Sequence, residues 1–263
     1  MAGRRLLVLA AALALAAIGA ALAETGGGAP RGAGANQADW LRGRPAAPST
    51  AWRIAYGGRL YDNWAATLGT APPTRTHPLY PRAGAKRGAA TWRCKECHGW
   101  DTNGAAGAYA KGSHRTGIKG LRAMRGAEPG RIARIVRGPR HGYGPALTPD
   151  RELMLLALFV ARGQIATERH VDYRTGKARG DKRRGKAFFQ TVCAACHGFD
   201  GRALNFKTER DPEFIGTVAR KAPWELMHKL RHGQPGAVMP AFGVLPAALL
   251  ADVIAYAQTL PAR

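Results

Sequence analysis

Apolar residues recur at spacings of three and four in several separate stretches of the chain, and each stretch predicts a helix with one buried face. They are "PGRIARIVRG" at 129–138, "TPDRELMLLALFVARG" at 148–163, "PWELMHKLRHG" at 223–233 and "LPAALLADVIAYAQTL" at 245–260. Proline near a start and glycine near an end frame the first and third of these. Shorter helices are expected in "YGGRLYDNW" at 56–64 and "RRGKAFFQTVCAACH" at 183–197. A different pattern opens the chain. Arg4 and Arg5 precede the apolar run "LLVLAAALALAAIGAALA", which closes on Ala21-Leu22-Ala23. This reads as a secretory signal peptide over residues 1–23. A run of that length could also just span a bilayer, but its alanine richness and small-x-small end point to removal.

The helical stretches fall into two similar series. "TWRCKECHGWDTNG" is followed by "TGIKGL", a helix and a second helix. "TVCAACHGFDGRA" is followed by "EFIGTVA" and again two helices. Gly58 and Tyr61 in the first series match Gly185 and Phe188 in the second. On that pairing the first series carries an insertion at about 66–91, "ATLGTAPPTRTHPLYPRAGAKRGAAT". Its prolines and glycines predict an ordered loop or extended wrap, which reads as a plain surface excursion or, more sharply, as a cover over a site or a partner interface. The chain therefore divides into the leader, a poorly ordered segment at 24–50, a first domain at 51–165, a basic linker at 166–184 and a second domain at 185–263.

Composition adds a charge. Forty lysines and arginines stand against 17 acids, a formal net charge of +23. Loss of the leader removes Arg4 and Arg5 and leaves +21. A surface this basic attracts acidic proteins and anionic membranes, less so at high salt. Export to the periplasm makes nucleic acid an unsuitable partner despite the high isoelectric point.

All four cysteines lie in Cys94-Lys-Glu-Cys97-His98 and Cys193-Ala-Ala-Cys196-His197. Cys-x-x-Cys-His is the attachment signature of c-type haem. The two thiols bond to the porphyrin and the adjacent imidazole reaches the iron. A redox dithiol or a zinc site is the rival reading. Neither accounts for a histidine after each pair, and the pairs are too far apart for a zinc ribbon. Two haem c groups are expected, held by Cys94, Cys97, Cys193 and Cys196, with His98 and His197 on the irons. Their propionates would lower the net charge to about +17.

On "CAACHG", "GQPGAVMPAF" and "DVIAYAQTL", residues 185–263 resemble a small class I c-type cytochrome domain, and residues 51–165 resemble a divergent second copy with an insertion. The whole is similar to periplasmic dihaem c-type cytochromes. The resemblance implies an all-α fold of two tandem cytochrome c-like domains, each wrapped around one covalently bound haem. It also implies a methionine as second axial ligand before the last helix, which Met239 matches. The first domain has histidine instead. Carried back from Leu245 to Leu147, the same offset takes Met239 to His141. His114, Met124 or an open position are the alternatives, and Met154 reads as core. His77, His170, His228 and His232 read as surface or helix-face residues, and Trp92, Trp100 and Trp224 as haem-pocket packing. Thioether raises an iron's potential relative to imidazole. Electrons would then run from a His98/His141 haem to a His197/Met239 haem, and on to an acidic partner. The resemblance thus implies an electron carrier rather than an enzyme. The alternatives are a haem subunit of a dehydrogenase complex, or an enzyme acting on peroxide or a small sulfur or nitrogen oxyanion.

Overall fold

The computed structural model describes residues 43–262. The expected leader and most of the segment expected to be poorly ordered lie outside them. Among the described residues the structure is helical and no strand forms; Gly104–Lys119 and Val171–Ala178 are isolated bridges. No described helix is long and apolar enough to cross a membrane.

Helix α1 (Thr50–Leu68) begins where the Ser49 hydroxyl accepts the Trp52 N–H and ends at the left-handed Gly69, as caps of those types do. Asn63 interrupts it with extended torsions, and its side chain accepts the Ala66 N–H to restart the last turn. A tight turn at Gly88–Trp92 leads into α2 (Cys94–His98). Then come α3 (Pro129–Arg137), capped by Glu128, and α4 (Asp150–Leu158), which widens into a looser turn at Phe159–Gly163. Helix α5 (Lys182–Phe188) widens similarly at Phe189–Cys193 before α6 (Ala194–His197). The remaining helices are α7 (Ile215–Lys221), α8 (Pro223–His232) and α9 (Ala247–Ala257).

Two apolar cores result. Tyr56, Leu60, Tyr61, Trp64, Leu156 and Phe159 anchor the first, and Phe189, Leu226, Leu230, Leu250 and Ile254 anchor the second. Each depends on a glycine at a helix crossing. A Cβ on Gly57 would overlap the Leu155 carbonyl of α4, and one on Gly185 the Asp252 carbonyl of α9. The matching positions are therefore Gly57 with Tyr61 and Gly185 with Phe189, four apart, and both aromatic rings are fully buried. The sequence pairing through Gly58 and Phe188 is off by one, because Gly58 has a different neighbour: its Cβ would strike the His232 ring of α8.

Helix α1 thus packs on α4 at Gly57 and on α8 at Gly58. Around it lies a seam of paired charges. Asp62 is fully buried and bonds Arg93 and, on α8, Lys229. Trp100 lies under Lys95 at 4.4 Å and Lys229 at 5.0 Å, and its ring is 5.3 Å from His228. His228 Nε2–H donates to the Gly58 carbonyl at 2.9 Å.

Several sequence expectations change here. Met154 is 42% exposed, because Leu153, Leu156 and Ala157 take the inner face of α4. His77, His228 and His232 are buried. Trp92 joins the first core. Trp100 and Trp224 instead line a cavity of about 20 Å³ together with His228, Arg231 and His232. The segment expected as a linker is folded on the second core: Val171 is fully buried, and the Gln258 side chain bonds both Gly176 and Ala178.

Candidate functional site

The two Cys-x-x-Cys-His turns are built alike. After each histidine comes a left-handed glycine, Gly99 at φ 79° and Gly198 at φ 75°. The Gly99 N–H bonds Lys95 O and the Gly198 N–H bonds Ala194 O, both at 2.9 Å. The histidine carbonyl is then met from six residues on, by the Gly104 N–H at 2.8 Å on His98 and by the Ala203 N–H at 2.9 Å on His197. An aspartate closes both turns: Asp101 accepts the Asn103 and Ala108 N–H groups, and Asp200 accepts that of Arg202. These bonds explain why the text after each motif is similar.

None of the four cysteines is paired in a disulfide. Burial, the largest influence, pushes Cys94 and Cys97 up to about 12 and Cys193 up to about 11. A dithiol oxidoreductase needs the opposite shift. Among the described residues no three His, Cys, Asp or Glu side chains converge to hold a metal, as a zinc site would require.

At the first site, residues 118–121 are tied to 102–105 through Ala105 N–H on Ile118 O and Leu121 N–H on Thr102 O. This sets the Lys119 carbonyl 2.9 Å from His98 Nδ1. Burial holds the His98 pKa down at about 4, so the ring is neutral. With Nδ1–H donated, Nε2 keeps a free lone pair. His141 is positioned by a tight turn, its N–H on Gly138 O at 3.1 Å, and its own Nδ1 lies 3.2 Å from Ile135 O. The two rings stand with centroids 6.3 Å apart and planes 33° apart. Two metal–nitrogen bonds of roughly 2 Å and two imidazole half-widths span about that length. The Nδ1–carbonyl contacts are also what orients ligating histidines in metal sites. His98 and His141 therefore fit as two axial ligands of one haem iron. The other candidates are elsewhere: His114 stacks on Tyr109 at 4.8 Å beside Glu96, and Met124 packs on the first core.

At the second site, Cys193 and Met239 border the same core, beside Phe188 and Phe242. Gly233 lets the Met239 carbonyl approach where a side chain would collide. His197 has a buried Nδ1 without a protein partner, unlike His98. Large apolar side chains flank the motif and Met239 in the open: Phe199 is 75% exposed, Val244 73% and Val238 69%, with Val192, Leu204 and Phe206 also uncovered. Such a face is unusual on a folded domain unless something apolar lies against it. The paired cysteines outside any disulfide, the adjacent histidine and the apolar rim all suit a porphyrin.

His77 carries no signal in the sequence beyond its place among prolines, yet it enters the first site. Its Nε2 lies 2.9 Å from the His141 carbonyl, and its ring packs at 4.5 Å against Trp92.

Residues 180–256 match the family model described as cytochrome c oxidase, cbb3-type, subunit III. No curated protein and no solved structure matches the chain. The family match supports a c-type cytochrome domain at 180–256, which implies covalent haem c with iron and points to electron transfer.

Proposed function

We propose that the chain is a periplasmic dihaem c-type cytochrome, made of two tandem cytochrome c-like domains, that carries single electrons between redox proteins. The family match supports the second domain. The observation that carries the reading to the first is the facing pair His98 and His141, 6.3 Å between ring centroids.

Bound haem supplies an iron that takes up and releases one electron at a time. Cys94 and Cys97 would hold the first porphyrin, and Cys193 and Cys196 the second. His98 and His141 would fill both axial positions of the first iron, and His197 and Met239 those of the second. The Lys119 and Ile135 carbonyls orient the first pair of imidazoles and raise their basicity, which favours ferric iron. Met239 brings a soft thioether that favours ferrous iron. With that ligation the first haem would have the lower potential, and electrons would pass from it to the second. Their exit is to an acidic protein drawn by the net charge, with an anionic membrane surface as a second place of attraction. With His98 and His141 both engaged, the first haem would have no position for peroxide or an oxyanion, which favours carrier over enzyme.

Haem staining after denaturing electrophoresis and a pyridine assay test the reading directly. Two covalent haems per chain, both low-spin and inert to carbon monoxide, are expected. A single haem, or a first haem that is high-spin as isolated, would overturn it.

A further inference from the structure

We propose that the insertion at about 66–91 is a clamp for the sixth ligand of the first haem, and that His77 is its positioning residue. This rests on the assignment of His141 to that iron. The insertion is not a loose excursion. Gly88 donates to the Thr76 hydroxyl at 2.9 Å, Trp92 Nε1 donates to the Arg75 carbonyl at 2.8 Å, and the His77 N–H donates to the Thr91 hydroxyl at 2.8 Å. These bonds hold the His77 backbone against the turn that leads into Cys94.

The side chain is fixed as well. The Leu79 N–H donates to His77 Nδ1 at 3.2 Å, so Nδ1 is the acceptor and the proton sits on Nε2. That Nε2–H donates to the His141 carbonyl at 2.9 Å. The ring is 6% exposed, wedged between Trp92 at 4.5 Å and Tyr143 at 6.2 Å. A second tie runs parallel. The Trp92 carbonyl accepts both Trp64 Nε1–H, at 2.9 Å, and the hydroxyl of Tyr143, two residues after His141. The segment entering Cys94 and the turn carrying His141 are thereby held at one separation from both ends.

The turn's other bonds are local, from the His141 and Gly142 N–H groups to Gly138 O and from the Tyr143 N–H to Val136 O, so they shape it without tying it to the segment that enters Cys94. Residues 138–144 contain Gly138, Gly142 and Gly144, and Gly142 adopts φ 68°. A glycine-rich turn is free to swing in the unbonded state. The hydrogen bond from His77 acts on the main chain of the ligand residue, so it sets where the imidazole stands without touching the iron.

The test uses the holoprotein with His77→Phe, which keeps a planar ring but loses the donor, and His77→Gln, which keeps an N–H donor. Tyr80→Phe serves as comparison: it loosens the insertion at Lys86 without touching the bond to His141. For His77→Phe the expected result is a high-spin fraction at the first haem and carbon monoxide uptake about fivefold to tenfold above wild type, the factor one hydrogen bond supports. His77→Gln should restore the low-spin spectrum, and Tyr80→Phe should leave it unchanged. If His77→Phe stays low-spin and inert, or if Tyr80→Phe opens the site equally, the clamp is wrong. If His77→Phe does not fold, His77→Gln decides alone: a low-spin, inert first haem supports the donor role, and an open one overturns it. Failure of the underlying assignment looks different, since the wild type would then already bind carbon monoxide, or His141→Ala would leave the first haem unaltered.

Discussion

Asp62 on α1 forms a buried ion pair with Lys229 on α8, 167 residues further along the chain. Arg93, next to Cys94, completes the group through the Asp62 carbonyl at 2.7 Å and its carboxylate. Burial alone would raise the Asp62 pKa. The charges of Lys229, Arg93 and His228 outweigh it and hold the carboxyl below its usual value of 3.8. Asp62→Asn should strand two cations in a buried seam and cost roughly 3 kcal/mol in denaturant unfolding. A depressed carboxylate stabilises the fold above its unfolded pKa, so this contribution should be complete above about pH 4 and fade below it. Unchanged stability of Asp62→Asn at pH 7 would contradict the pairing.

His228 sets a second and separate pH dependence. Burial, the largest influence, lowers its pKa from 6.5 to about 4; Asp62 and the Gly58 carbonyl pull it up, and Lys229 and Arg231 push it down. Between those values the unfolded chain binds a proton that the folded chain refuses. Stability should therefore fall as pH drops from 6.5 to about 4 and level off for this residue below that. The slope from one such group is at most about 1.4 kcal/mol per pH unit. His228→Gln, which can still donate to Gly58, should remove that slope in a series of urea titrations.

The paired glycines on α1 should respond to alanine through different partners. Gly57→Ala drives a methyl into the Leu155 backbone, which cannot rotate away, whereas Gly58→Ala meets the His232 ring. Overpacking typically costs about 1–3 kcal/mol, with rigid backbone at the upper end. Thermal unfolding should show both variants destabilised. Adding His232→Ala should rescue Gly58→Ala and leave Gly57→Ala untouched.

On the two-haem ligation proposed above, Met239→His should lower the midpoint potential of the second haem and narrow the gap between the two, measured by spectroelectrochemistry. Axial ligation spans about 0.8 V across haem proteins, so a shift of roughly a tenth of that range is a modest expectation. No shift would remove Met239 from the iron.

Much of this site could be read in the chain. The Cys-x-x-Cys-His pairs and the repeated glycine and aspartate after them lie within a few residues, where sequence spacing dictates geometry. The offset that led to His141 rests on the same footing, since it counted between helices in matching places, and it names a ring that stands 6.3 Å from that of His98. What escaped reading depends on distant partners. His77, His228 and His232 look like ordinary polar positions, and only the crossing of α1 with α8 or the folding back of the insertion buries them. Asp62 gave no sign of its role for the same reason. The glycine register slipped by one because two glycines stand side by side, and no pattern says which one faces α4 and which α8. The charged run at 166–184 suggested a free connection, yet Val171 and the Gln258 bonds fasten it.

The adjacent glycines of α1 have one more effect. A single rod presses against a neighbour on each side, so neither portion of the molecule owns a complete wall. Cutting the backbone near residue 175 should leave the pieces associated, and heating should melt them in one event instead of two.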